Sequence, residues 1–438
     1  MAQPSSNVGT NGTGSTLNGL FKQVYSKEGV QVAIPAFSIL QAKLPFSKAQ
    51  LLGDKYHMPV VLSDEHGFTY GGNSAANYAL NAGIAMQLQD AQIASSELTL
   101  QSGISYGAVS RAQSKGEQAM ESAVRLLIER MKASASKRVE IELLYGASIS
   151  GLGVVSATAG SGTARVYNIL PSTWATGIWA GMENAQLDCW RATGTTGVLV
   201  NTNAPVVITA VSVANKTITV SGNAADLTAL DAQIGSTVGT SATFYFYGAY
   251  GNEMSGLDVI LSNTGSLFNI SAATYNLWQA NIFDCSTAQM TMGKVLAGLA
   301  LACGRGLMDD VSLLVAPDSF ANVVADLSAQ RRFDGSFSKK KAEAGFETVE
   351  FYGQNGLIEL IPHAMVKSGD AFALPLDLVQ RVGSTDVNFR GEMVGGEMEY
   401  LFQNTSTNGW TCRAYTDQAI FVQTPAQCVK FINIFPTA

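Results

Sequence analysis

The stretch SKGEQAMESAVRLLIERMKASASKRVEIELLYG, residues 114–146, carries the strongest secondary-structure signal in the chain. Ser114 and Glu117 have the spacing of a capping box, in which two side chains satisfy free N–H groups at a helix start. Apolar residues then recur on one helical face, at Met120, Val124, Leu127 and Met131. The pattern predicts a single helix over residues 115–145, ~45 Å long, with a weaker patch at 133–136 and Gly146 as its terminating glycine.

Two strand-like segments precede this helix. Residues 58–70, MPVVLSDEHGFTY, predict a strand, a turn and a second short strand, and residues 97–109, ELTLQSGISYGAV, predict a further strand. The stretch between them is polar and alanine-rich, with few large apolar side chains. Because structureless loops of this length are uncommon and usually functional, we expect a long projecting loop or hairpin here.

A possible catalytic motif lies in the second of these segments, where Gly103 to Gly107 read G-x-S-x-G around Ser105. A nucleophile elbow needs a strand, a turn and then a helix, together with a histidine and an acid. Ser114, which would cap the next helix, lies 7 residues beyond Gly107. Of the 3 histidines only His363 fits the chain order, and it has no evident acid partner. We therefore favour a glycine-containing strand and keep a serine hydrolase acting through Ser105 as a remote alternative.

The rest of the chain alternates between β segments and helices. Residues 205–249 predict a distinct β unit with a hairpin turn at Asn215-Lys216, and a helix is expected over 291–308. A buried strand at VSLLVAP (311–317) precedes a helix that Asp318 would cap. Further strands are expected at FETVEFYG (346–353), LIELIPH (357–363) and within 386–434. The class is α+β with a β insertion.

Composition restricts the function. Charged residues make up only 14% of the chain and apolar residues 47%, against about 25% charged residues in ordinary soluble domains. We expect other copies of the chain to cover much of the surface. The net charge of −7 argues against a sequence-reading DNA protein. The 5 cysteines form no C-x-x-C pair, which argues against a zinc site and favours free thiols. We expect no membrane segment, no cofactor and no bound metal, since His57 and His66 lack close ligand spacing.

Three groups of charged residues are candidate contacts between subunits. An acidic pair lies within residues 56–110, a region that has no lysine or arginine. Side chains of alternating charge lie along one face of the predicted long helix, four residues apart. A basic cluster is either a solvated loop or a contact with an acidic neighbour or nucleic acid. The candidates are Asp64, Glu65, Glu121, Arg125, Glu129, Arg331, Arg332, Lys339, Lys340 and Lys341.

The order of these parts resembles the major capsid proteins of tailed bacteriophages, with the Hong Kong 97-type fold. ERMKASASKRVEIELLYGASISGLG (129–153) looks like the end of that family's spine helix entering its axial domain. The stretches VVITAVSVANKTITVSG (206–222) and TFYFYGAYGNEMSGLDVILSNTGSLFNIS (243–271) are similar to an insertion of several phage capsid proteins. DDVSLLVAPDSFANVVADL (309–327) and FYGQNGLIELIPHAMVKSGDAFAL (351–374) resemble axial-domain strands and helices.

The resemblance implies a division of the chain into family domains. These are an N-terminal arm (1–50), an extended loop (51–112), a peripheral domain with the spine helix (113–147), an axial domain (148–204 and 251–385), a β insertion (205–250) and a C-terminal peripheral β segment (386–438).

The resemblance also implies a non-enzymatic shell subunit. Hexamers and pentamers would close an icosahedral virion around double-stranded DNA, without sequence-specific contacts, after assembly in the host cytoplasm. Portal, scaffolding and decoration proteins would be its partners. An encapsulin-like cellular nanocompartment shell remains the main alternative, and an extracellular surface-layer protein is disfavoured by the missing export signal and the free cysteines. The lysine-dependent crosslink of some family members is not expected, because no lysine lies between Lys55 and Lys115.

Overall fold

The computed structural model describes residues 38–48, 54–73, 77–105, 117–193, 196–331, 349–389, 392–394, 397–399, 401–403 and 409–435. Most of the predicted N-terminal arm lies outside these ranges, as do the capping residue Ser114 and the basic residues Arg332, Lys339, Lys340 and Lys341.

The described helices and strands, in chain order, are as follows. The α-helices are α1 Ile39–Lys43, α2 Glu117–Tyr145, α3 Thr176–Trp179, α4 Ala224–Asp231, α5 Leu257–Ser262, α6 Met292–Cys303 and α7 Pro317–Arg331. The first strands are β1 Phe46–Lys48, β2 Tyr56–Ser63, β3 Gln87–Ile93, β4 Ser96–Ser105, β5 Gly153–Ser161, β6 Ala164–Ile169, β7 Gln186–Thr193, β8 Thr196–Leu199, β9 Val206–Ser212, β10 Thr217–Ser221, β11 Thr243–Phe246 and β12 Ser266–Leu267. The remaining strands are β13 Ile270–Ser271, β14 Asn281–Ala288, β15 Val311–Val315, β16 Val349–Tyr352, β17 Leu357–Pro362, β18 Ala371–Leu374, β19 Val379–Phe389, β20 Glu392–Val394, β21 Glu397–Glu399, β22 Leu401–Gln403, β23 Gly409–Val422 and β24 Val429–Ile434.

The long helix predicted from the sequence is present as α2, and it continues without a break through residues 133–136. Leu127 and Met131 pack against Cys412 and Ala414 of β23, so these two residues of the predicted apolar face turn toward a sheet. That sheet is built around β23, which pairs with β19 and β22 along one side and with β4 along the other. β1 pairs with β19 in parallel and forms the opposite edge.

The end of α2 differs from the prediction in one detail. The residue with left-handed backbone is Ala147, at a φ of 54°, rather than Gly146. Gly146 is needed for a different reason, since a Cβ there would lie 2.3 Å from the carbonyl oxygen of Met254. The glycine therefore allows the loop after the β unit to pack closely against the helix end.

A closed barrel lies beyond this helix end. The strand order is β11-β5-β6-β10-β9-β7, and β11 also pairs with β7, so the six strands form a ring that β8 extends. The predicted hairpin at Asn215-Lys216 is present between β9 and β10. The barrel draws its strands from both sides of residue 205, the predicted start of the β insertion, and its core includes Tyr167, Ile208 and Phe244.

A mixed six-stranded sheet completes the fold, in the order β14-β24-β18-β15-β17-β16. The buried strand VSLLV is at its centre as β15. The helix predicted over 291–308 ends earlier, at Cys303, just before Gly304. The prediction that Asp318 caps α7 is wrong, because α7 already begins at Pro317; Asp318 lies in its first turn, where its negative charge interacts favourably with the helix dipole. Among the described helices, none has the length and apolarity needed to cross a bilayer.

Candidate assembly interface

A two-stranded hairpin formed by β2 and β3 has a half-buried base. The strands pair antiparallel from Tyr56 with Ile93 at the base to Ser63 with Gln87 at the far end. Tyr56, Ile93, Val60 and Leu62 are buried, whereas Val61 and Leu88 are exposed. One face of the hairpin thus belongs to the core of the chain, and the other is available for a partner.

The segment beyond Ser63, which we call the hairpin tip (residues 64–73 and 77–86), differs from its prediction. It contains no strand among its described residues, so the second short strand expected within 58–70 is wrong, and the chain returns as β3 at Gln87. A half-buried strand places alternate side chains on a core, but the apolar residues of the tip do not pack on one. Instead they are exposed: Tyr70 is 94% and Leu80 80% accessible. The exposed large apolar residues of the tip are Phe68, Tyr70, Tyr78, Leu80, Ile84 and Met86.

Few hydrogen bonds hold the two halves of the tip together. The backbone N–H of His66 donates to the carbonyl of Ile84 at 3.2 Å. Asn81 donates its backbone N–H to Thr69 Oγ1 at 2.8 Å and its side-chain amide to the carbonyl of Phe68 at 2.9 Å. A concentrated set of exposed apolar side chains with this little internal support is typical of a surface that a partner covers.

The charged residues singled out in the sequence lie on separate elements. Asp64 and Glu65 are exposed at the start of the tip, adjacent to its apolar side chains. Glu121, Arg125 and Glu129 lie on α2, with Glu129 exposed, and Arg331 is the last residue of α7. Their role as contacts between subunits stays a prediction.

Ser105 is the last residue of β4 and pairs with Gly409 of β23. Its backbone is part of an extended strand rather than the turn of a nucleophile elbow. His363, the histidine that fitted the catalytic order, is buried, and its Nε2 lies 2.8 Å from Oε1 of Glu140. His57 contacts Asp90 across the hairpin. In the described part of the chain, no cluster of three or more histidine, cysteine, aspartate or glutamate side chains is arranged to hold a metal ion.

Glu140 is a structural residue that the sequence analysis missed. It is fully buried in α2 and accepts hydrogen bonds from the backbone N–H groups of Leu40 at 2.6 Å and Gln41 at 2.9 Å. Its carboxylate therefore satisfies free N–H groups at the start of α1. Together with His363, it joins the segment before the hairpin, the long helix and the mixed sheet.

A second missed group is a buried ionic cluster beside the end of α2. Lys430 of β24 lies 2.6 Å from Asp258 of α5, and Asp258 also accepts from Ser148 Oγ at 2.6 Å. Lys367 is fully buried and donates to Ser150 Oγ at 2.6 Å and to the carbonyl of Gly151 at 2.8 Å. A lone lysine or aspartate inside an apolar run, such as Lys430 in CVKFINIF, is the sequence signal that indicates a buried pair.

Burial changes the titration of this cluster and of its neighbours. Burial lowers the pKa of Lys367 to about 8, although Asp258 and Asp370 oppose that change. Burial, followed by the charge of Asp258, raises the pKa of Asp370 to about 6. On α2, burial and then the nearby Glu253 raise the pKa of Glu142 to about 7. These groups surround the junction between the long helix, the barrel and the mixed sheet.

No protein-family model matches the sequence, and no curated protein matches it. Solved structures do. The subunit in the cyanophage A-1(L) capsid asymmetric unit is 11% identical and superposes with a TM-score of 0.50, covering 95% of this chain and 99% of that chain. The capsid of the native GTA particle is 8% identical with a TM-score of 0.48, covering 95% and 97%. A holo-encapsulin complex from Synechococcus elongatus is 8% identical with a TM-score of 0.40, covering 95% and 98%. The first of these superpositions runs through nearly the whole of both chains, and the chain therefore has the Hong Kong 97-type capsid fold.

Proposed function

We propose that the chain is the major capsid protein of a tailed bacteriophage and that it assembles into the hexamers and pentamers of an icosahedral shell. The observation that carries this proposal is the match in fold to a subunit of the cyanophage A-1(L) capsid over 95% of this chain and 99% of that one.

The hairpin tip supports the proposal independently of the fold. Its exposed apolar side chains are not covered by any of the residues that the structure describes, and shells bury such surfaces between subunits. In this proposal the predicted extended loop (51–112) lies over a neighbouring subunit, and α2 is the spine helix. The apolar side chains of the tip supply most of the contact, and Asp64 and Glu65 form its polar rim.

The charge of the chain bears on how the shell would contact packaged DNA. With a net charge of −7, the chain lacks the excess of lysine and arginine that gives proteins nonspecific affinity for DNA. We propose that the shell encloses double-stranded DNA without sequence-specific contacts. Portal, scaffolding and decoration proteins are proposed partners, and assembly in the host cytoplasm precedes packaging.

Sedimentation and electron microscopy of the expressed full-length chain test the proposal. Closed, uniform particles are the expected result, and a stable monomer that never assembles at any concentration contradicts it. The contents of particles purified from the native source then separate the two shell functions. Packaged DNA supports a phage capsid, whereas an enclosed enzyme cargo supports the cellular nanocompartment.

A further inference from the structure

The β2 side of the hairpin base is tied to the sheet around β23. Tyr56, the first residue of β2, is fully buried, and its hydroxyl donates to Oδ2 of Asp417 at 2.7 Å. The hydroxyl of Ser384 in β19 donates to the same oxygen at 2.6 Å. Two hydroxyls thus converge on one buried carboxylate, and hydrogen bonds to a charged acceptor are stronger than those between neutral groups.

The β3 side of the base is tied to a different part of the chain. The backbone N–H of Gln92 donates to the carbonyl of Phe268 at 2.9 Å. Phe268 and Asn269 form the two-residue turn between β12 and β13, with φ values of 52° and 66°. Left-handed backbone is unfavourable for a residue as bulky as phenylalanine, and such strain persists only where the surroundings enforce it.

The hairpin is therefore fixed at its base and weakly supported at its tip. We propose that Tyr56, Ser384, Asp417, Gln92 and Phe268 form a clamp that sets the direction of the hairpin before a neighbouring copy binds it, with Tyr56 as a positioning residue. This inference rests on the proposed shell function. A base fixed in advance reduces the ordering that each contact between subunits requires, while the tip remains free to adapt to its partner.

The hydroxyl of Tyr56 stays a donor at any pH at which a shell would assemble. Burial, and then the hydrogen bond to Asp417, raises the pKa of Tyr56 to about 12. Loss of the Tyr56 proton therefore does not open the clamp in that pH range.

The test compares Tyr56→Phe with a matched control, Tyr167→Phe. Both tyrosines are fully buried and donate to an aspartate, and Tyr167 does so to Asp231 at 2.9 Å within the barrel. Hydrogen exchange at the Gln92 amide of the unassembled full-length chain reports opening of the base. We expect exchange about tenfold faster in Tyr56→Phe, because a hydrogen bond to a charged group is lost, and unchanged in Tyr167→Phe. We also expect fewer closed particles from Tyr56→Phe at equal protein concentration.

Several outcomes overturn the clamp. The clamp is contradicted if the Gln92 amide exchanges at the same rate in Tyr56→Phe and in the wild type, even if the wild type forms shells. Equal acceleration in both variants also contradicts it, because it reflects general destabilisation. If Tyr56→Phe does not fold, Ser384→Ala replaces it with the same expectation. A wild-type chain that never forms shells overturns the proposed function, and the exchange measurement then still decides whether the clamp exists.

Discussion

At the scale of single residues, the buried charges beside the end of α2 hold together segments that are far apart in sequence. Asp258 of α5, Lys430 of β24 and Lys367, which lies between β17 and β18, meet in the interior. Burial alone would raise the pKa of Asp258, but the charges of Lys430 and Lys367 keep it below its usual value. The ionised pair is therefore stable only as long as both partners are present.

Lys430→Met tests this dependence. Removing the lysine leaves Asp258 buried and unpaired, so we expect the free energy of unfolding to fall by about 3–5 kcal/mol. Lys43→Met is the matched control, because Lys43 pairs with Glu359 at 2.7 Å near the surface, and exposed pairs contribute about 1 kcal/mol or less. Urea denaturation of the unassembled chain measures both. Equal effects of the two substitutions would contradict the assignment.

Glu142 predicts a dependence of stability on pH. Its pKa in the folded chain, about 7, lies above the ordinary value of 4.5. Protonated Glu142 therefore adds to the free energy of unfolding, and this stabilisation is fully present below pH 4.5 and is lost as the pH rises through 7. The loss is on the order of 3 kcal/mol. The stabilisation from protonated Asp370 is also lost as the pH rises, because its pKa in the folded chain is raised to about 6. Lys367, at about 8, titrates above this window.

Glu142→Gln should reduce the pH dependence to the part that Asp370 contributes, because the amide has no proton to lose. The measurement is the free energy of unfolding of the unassembled chain at a series of pH values between 4.5 and 8, a range chosen to bracket the two pKa values of Glu142. Asp284→Asn is the control and should keep the wild-type slope, because the backbone hydrogen bond from Ser286 lowers the pKa of the exposed Asp284, which therefore stays ionised throughout this range. If Glu142→Gln keeps that slope as well, Glu142 is not the group that titrates.

The roles of these residues could not be predicted from the sequence. Asp258 and Lys430 are 172 positions apart, and Glu140 and His363 are 223 apart. Nothing local to either partner specifies which charge it meets, because the pairing is decided by how the sheets and the long helix pack. The sequence does indicate that a charge inside an apolar run needs a partner.

At the scale of elements, the strongest local patterns predicted the structure well. The long helix, the hairpin at Asn215-Lys216 and the buried strand VSLLV were all confirmed, because each is specified by residues within a short window. Closure of the barrel was not predicted, since it depends on β11 pairing with β7 across about fifty residues. The prediction of a strand in the tip was wrong because the apolar residues there lie on the surface rather than in a core.

The apolar character of the tip predicts an assembly defect without a folding defect. Tyr70→Ser removes an exposed ring, so we expect little change in the stability of the unassembled chain and a loss of closed particles. Tyr352→Ser is the matched control, because Tyr352 is 90% exposed on β16, outside the hairpin. Particle yield by sedimentation at equal protein concentration measures both.

A Tyr70→Ser chain that assembles as well as the wild type would contradict the role of the tip. A loss of thermal stability in that variant would also count against it, because Tyr70 would then support the chain's own fold. Comparison with Tyr352→Ser distinguishes a specific effect from a general sensitivity to the loss of exposed tyrosines.

At the scale of the whole molecule, the residues that form the core of the chain and those proposed to contact neighbouring copies lie in different regions. The barrel, the mixed sheet and the end of α2 are built on extensive buried cores. The hairpin has a buried base but a tip whose apolar side chains are exposed among the described residues, and we propose that a neighbouring copy covers them. The low fraction of charged residues agrees with a surface of which much is covered by other copies.

An electron cryo-microscopy reconstruction of particles formed by the purified full-length chain tests the central claim most directly. The account predicts a closed icosahedral shell in which the side chains of Phe68, Tyr70 and Leu80 are packed against an adjacent subunit. Single compact molecules that never close into particles would contradict it, and so would a shell in which the hairpin tip points into solvent.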